Sequence, residues 1–115
     1  MAFTFFISDI HLSEDRPDIT ECLLAFLRDE APQADALYVL GDLFEYWLGD
    51  DDVTQLSQSV AQAFKTVSST VPVFFIHGNR DFAIREQWAD SAGITLLPEQ
   101  YVIDLYGEPT LISHG

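Results

Sequence analysis

Five side chains able to ligate a metal stand just past apolar runs of the chain: Asp9 and His11, then Asp42, Asn79 and His114. Asp9 and His11 lie two residues apart, and in extended backbone such neighbours point the same way, so both can reach one cation. Asp42 has two carboxylate oxygens and can bridge two cations. Asn79 offers a neutral oxygen and His114 an imidazole nitrogen. A mixed nitrogen and oxygen set without thiolate suits Mn2+, Fe2+ or Zn2+ better than a soft metal. Two such ions about 3.5–4 Å apart would clamp a phosphate and activate water. Arg80, directly after Asn79, adds a fixed fork of donors that can grip phosphoryl oxygens. Each residue also has a plainer reading. An Asp after a strand is commonly a cap or turn residue, a lone His is commonly a satisfied polar side chain, and Arg80 could pair with Asp81 or Asp9. Ligand types at the ends of four successive strands make a metal site the better reading of the set.

The elements that must position these residues follow from the apolar pattern. Residues 3–7 alternate too little for a half-exposed strand and read as one buried on both faces. Asp15 as N-cap and Pro17 in the first turn open an amphipathic helix over residues 16–30. Ile19, Cys22, Leu23, Phe26 and Leu27 form its apolar face, and Pro32 ends it. Leu37–Leu40 is a second strand, ending in Gly41-Asp42. Val53, Leu56, Val60, Phe64 and Val67 keep helical spacing, with Asp50–Asp52 placed to meet the positive end of that helix. Val73–Ile76 is a third buried strand, and Gly78 permits a tight turn off it. A short helix over residues 84–92 stops at Gly93. Residues 94–97, 101–105 and 110–113 read as strands, the last two joined by a turn near Gly107. Strand, candidate ligand, then helix recurs along the chain. That order predicts one α/β domain over residues 1–115 with its chemistry at the carboxyl ends of the strands. Phe44, Tyr46 and Trp47 are expected to pack beneath the site loop rather than to flank a ligand.

Composition narrows the classes of partner. A net charge of −14 with five Lys and Arg argues against a broad nucleic-acid surface, which needs basic residues to displace counterions. It also disfavours a polybasic membrane anchor. The 115 residues are 48% hydrophobic, enough for a core, without an apolar run of the length that spans a bilayer. The first residues lack a basic leader and meet Asp9 early, so no signal peptide is expected. The single Cys22 cannot close an internal disulfide and fits a reducing compartment.

The ordered blocks Asp9-x-His11, Gly41-Asp42, Gly78-Asn79 and His114-Gly115 resemble the calcineurin-like metallophosphoesterase superfamily. The third block departs from that superfamily's usual Gly-Asn-His by carrying Arg80. The arginine and the long second block, Leu40 through Asp51, are similar to the branch that hydrolyses UDP-2,3-diacylglucosamine in lipid A synthesis. The resemblance implies a two-sheet α/β sandwich with a dinuclear site on its loops. It implies that Asp9 and His11 hold a first Mn2+, that Asp42 bridges both ions, and that Asn79 and His114 hold the second. Asp42, Asn79 and Arg80 would be catalytic, with Asn79 and Arg80 meeting the substrate's diphosphate. An arginine cannot protonate a leaving group as a histidine can, and a nucleotide leaving group needs less such help. The products implied are UMP and 2,3-diacylglucosamine 1-phosphate, from a glycolipid-nucleotide substrate reached at the inner face of a bacterial cytoplasmic membrane. The pattern also carries a later Gly-His-x-His block and a helical lipid-binding insertion, neither of which occurs in these residues. The expectation is therefore an amino-terminal portion that binds Mn2+ weakly and hydrolyses little by itself. The alternatives are another dinuclear phosphoesterase or phosphodiesterase, or a metal-binding fragment without activity.

Overall fold

Four short strands form the centre of the molecule, and the computed structural model describes them within residues 3–45, 54–77 and 86–113. They are β1 (Thr4–Ile7), β2 (Ala36–Val39), β3 (Val73–Phe75) and β4 (Thr95–Leu96), all parallel and in that order across the sheet. Thr4 lies opposite Ala36, Leu37 opposite Val73, and Phe74 opposite Thr95. The connections carry α1 (Pro17–Asp29), α2 (Gln55–Ser68) and α3 (Glu86–Ala92). Because the strand order never reverses, right-handed crossovers lay all three helices on one face. There Leu23 and Leu27 of α1, Val60 and Phe64 of α2, and Trp88 of α3 close over Leu37, Val39, Val73 and Phe75.

The alternate strand residues point to the other face, where Phe6, Tyr38 and Phe74 stack with centroids 5.2 and 4.8 Å apart. Burial pushes the Tyr38 phenol above its ordinary pKa, with Tyr101 adding to the shift. An antiparallel hairpin, β5 (Gln100–Leu105) and β6 (Glu108–Ser113), lies over part of this face. It buries Ile103 and Ile112 against Ile76, with Tyr38, Leu40, Leu97 and Leu105 packed around them. The architecture is thus mixed α/β with two sheets, helices on one side of the larger and the hairpin on the other. Tyr106 and Gly107, both at positive φ (53° and 92°), make the two-residue turn. Tyr106 Oη donates to Asp35 Oδ2 at 2.9 Å and lies 2.8 Å from Thr4 Oγ1, which ties the turn to the amino edge of the parallel sheet. From there β6 runs back toward the carboxyl edge, where Ile112 meets Ile76.

Two sequence expectations need correction. β1 is not buried on both faces: Phe6 is 39% exposed. Among the described strands β1 lies at an edge, and the apolar side chains of the hairpin gather over β2 and the end of β3 instead. Asp15 is not the N-cap of α1. Pro17 occupies the first helical turn and puts Arg16 at the cap position, without a side-chain cap bond. The Arg16 guanidinium instead forks onto Asp18 at 2.9 and 3.0 Å, which lowers the Asp18 carboxyl pKa. The cap of α2 is Thr54, whose Oγ1 accepts from the Ser57 amide while Ser57 Oγ accepts from the Thr54 amide. Asp50–Asp52 lie outside the described residues. The stop of α3 is as the sequence suggests: Gly93 adopts φ +69°, and Ile94 N–H donates back to Ala89 O at 2.9 Å.

Candidate metal centre

The loops leaving β1 and β2 do not part after the strands end. Leu40 N–H donates to Ile7 O at 2.7 Å and Asp9 N–H to Gly41 O at 3.1 Å. His11 N–H reaches Asp42 O at 3.0 Å, Leu12 N–H reaches Leu43 O at 2.8 Å, and Glu45 N–H returns to Leu12 O at 2.8 Å. The buried pair Leu12 and Phe44 bridges the two loops in parallel, and Phe44 meets the Trp88 ring edge-on at 5.4 Å. Phe44 is therefore core beneath the loop, as its type suggests, while Tyr46 and Trp47 lie outside the described residues. Two sequence-distant loops are held as one backbone ladder anchored in the apolar layer.

That ladder brings Asp9, His11 and Asp42 together, with one ligand atom from each lying within 4.8 Å of the others. His11 Nε2 is 3.9 Å from Asp9 Oδ1 and 3.9 Å from Asp42 Oδ2. This is too long for a hydrogen bond. It is within the span of roughly 4.2 Å that two donors can keep on opposite sides of one ion about 2.1 Å from each. The Asp42 side chain is 8% exposed, that of His11 34% and that of Asp9 60%, so the group is rooted in the protein and open on one side. Two carboxylates held this close repel when both are ionised, and the repulsion calls for a group that offsets it. A divalent cation does, and the donor types suit one. The residues present fit a metal.

Asp9 and His11 do not share the extended backbone that their two-residue spacing suggests. Asp9, His11 and Asp42 have φ of 56°, 54° and 51°, all left-handed. Asp and His tolerate this region better than most residues, and left-handed backbone costs about 1–2 kcal/mol at each. The departure accompanies the ladder: the loop keeps pairing with Gly41 and Asp42 while each of the three candidate ligands sits at its own left-handed residue.

Of the remaining predicted site residues, Asn79, Arg80 and His114 lie outside the described residues. His77 is described and does not join the group; its Nε2 is 3.6 Å from Glu99 Oε1. Glu45 is a residue the sequence reading passed over. Its Oε2 lies 3.0 Å from His11 Nδ1, on the side of the ring away from the two aspartates. A carboxylate three residues after Asp42 on the same loop was the available signal. An open cleft of about 470 Å³ between the first turns of α1 and α2 is lined by residues such as Glu14, Glu21 and Leu24, and by none of the three ligands.

A parallel α/β sheet with carboxylates and an imidazole gathered past β1 and β2 is the architecture of a metallophosphoesterase. The chain belongs to the calcineurin-like phosphoesterase family, whose model matches residues 4–114. Among curated relatives, it is 58% identical over 113 residues to the UDP-2,3-diacylglucosamine hydrolase of Photobacterium profundum, covering 97% of this chain and 46% of that one. It is 56% identical, again over 97% of this chain and 46% of the relative, to the protein of the same name in Stenotrophomonas maltophilia. The chain thus spans about half the length of the curated relatives it matches. Two solved structures share the fold. They are a Pseudomonas putida nuclease (TM-score 0.65, 21% identity, 86% of this chain and 49% of that one) and a protein of unknown function from Aquifex aeolicus (TM-score 0.64, 20% identity, 100% and 61%).

Proposed function

We propose that this chain forms the amino-terminal part of a metal-dependent hydrolase that cleaves the pyrophosphate bond of UDP-2,3-diacylglucosamine, giving UMP and 2,3-diacylglucosamine 1-phosphate. The observation that carries the reading is the convergence of Asp9, His11 and Asp42 on one open-sided centre, in a chain 58% identical to a relative named for that substrate. The proposed cofactor is a pair of Mn2+ ions. When bound, they would supply Lewis acidity toward phosphoryl oxygens and make water nucleophilic at neutral pH. Asp9 and His11 would hold one ion, Asp42 both, and Asn79 and His114 the second.

Two placements among the described residues support the outer members of this set. β3 ends at the carboxyl edge and leads on toward Asn79 and Arg80, and β6 returns to the same edge at Ser113, one residue before His114. In the proposed reaction, Asn79 and Arg80 orient the diphosphate, and Arg80 stabilises the charge that develops on it. The acylated substrate would place the protein in peripheral contact with the inner face of a bacterial cytoplasmic membrane. No described helix is long and apolar enough to cross one. The test is UMP release from UDP-2,3-diacylglucosamine by protein expressed from the natural gene, with and without Mn2+. Release that needs the metal and falls by about 100-fold or more in His11→Ala is expected. Release indifferent to metal, or unchanged in His11→Ala, would refute the reading.

A further inference from the structure

We infer that Glu45 is a positioning residue of the centre: through His11 Nδ1 it holds the imidazole with Nε2 turned toward Asp9 and Asp42, free to ligate. The inference rests on the reading of those three residues as a metal centre. A neutral imidazole carries one proton, and only the other nitrogen can bind a metal. If the proton sits on Nε2, His11 cannot serve the group that its Nε2 faces. If it sits on Nδ1, it needs an acceptor, because Nδ1 is shut off from solvent. Glu45 Oε2 is the carboxylate in contact with that atom, 3.0 Å away. The pair is within hydrogen-bond distance but does not meet hydrogen-bond geometry as it stands; such contacts often tighten only when a site is filled.

The arrangement is built by the backbone rather than by the pair itself. Glu45 N–H on Leu12 O and Leu12 N–H on Leu43 O fix the two loops before either side chain is considered. Buried Leu12 and Phe44 lock the register between His11 and Glu45. The side chains of His11 and Glu45 are 34% and 29% exposed, so the contact is partly shielded from solvent. Glu45 lies behind the ring and outside the three-residue group, so it acts on the metal through His11 and not as a ligand. Metal-binding imidazoles generally depend on such a partner on the second nitrogen, and its removal costs about 10- to 100-fold in metal affinity.

The test uses the whole chain and two readouts. Long-range nitrogen–proton spectra of the three histidines in metal-free protein should show His11 with its proton on Nδ1. Glu45→Ala should move that proton toward Nε2 and weaken Mn2+ binding, measured by calorimetry, about 10- to 100-fold. Glu45→Gln keeps an acceptor oxygen without the charge and should fall between parent and Glu45→Ala in both readouts, which guards against a folding defect in the larger truncation. If Glu45→Ala leaves tautomer and affinity unchanged while His11→Ala abolishes binding, the metal centre stands and the role of Glu45 is overturned. If His11→Ala also binds Mn2+ as the parent does, the reading of the centre fails and this inference with it.

Discussion

At the scale of single residues, the candidate centre combines ordinary donor types with an uncommon backbone. Asp9, His11 and Asp42 all sit in the left-handed region, and the only other described non-glycine there is Tyr106, in a hairpin turn. Left-handed backbone at a side chain bearing a Cβ costs about 1–2 kcal/mol. The fold therefore gives up stability to aim these side chains. Asp9 is exposed, so its replacement isolates the backbone effect. Asp9→Gly is expected to be about 1 kcal/mol more stable than Asp9→Ala in urea unfolding without metal, while both lose Mn2+ affinity. Equal stability of the two variants would show that no strain is stored at this position. Asp9, His11 and Asp42 stand out in the sequence as candidate ligands by type and spacing, and the fold does bring these three together. Their kinks are not legible there, because they accompany pairing between loops about 30 residues apart, which no local pattern encodes. Glu45 offers only its place three residues after Asp42 as a signal; its meaning comes from the register between Leu12 and Phe44.

At the scale of elements, periodicity found the helices and strands, and the errors fall at ends and faces. Gly93 is where pattern and geometry agree most closely. It ends α3 at φ +69°, and a Cβ there would collide with Ser68 Oγ at the end of α2. Gly93→Ala is therefore expected to destabilise the chain by about 1–2 kcal/mol in urea unfolding, through both backbone and contact. A loss of less than a few tenths would show that α2 gives way there. The cap of α1 was misread because a favourable cap residue, Asp15, lies one position too early once Pro17 sets the first turn. The cap of α2 is hard to read from sequence because an acidic run precedes Thr54 and Ser57, whose mutual bonds need no charge. β1 was misjudged for a topological reason. A strand rich in phenylalanine reads as buried, yet at the sheet edge Phe6 can stack on Tyr38 and still face solvent.

At the scale of the whole molecule, the relevant quantity is the excess of 19 acidic over 5 basic residues. Such an excess destabilises a compact chain by self-repulsion, which salt screens. Two effects of cations should then separate. NaCl is expected to raise the melting temperature of the parent and of Asp42→Asn alike. Mn2+ at about 100 times its dissociation constant should add about 2.7 kcal/mol to the parent beyond what ionic strength gives, and not to the variant. Equal gains would reduce the centre to part of a diffuse acidic surface. The family could be read from the ordered blocks, since ligands on successive loops leave a signature independent of how the loops coil. The most direct test is anomalous diffraction at the manganese edge from crystals of the chain grown with Mn2+. A peak is expected within about 2.2 Å of His11 Nε2 and of carboxylate oxygens of Asp9 and Asp42. Well-ordered loops with no peak between those three side chains would contradict a metal centre there.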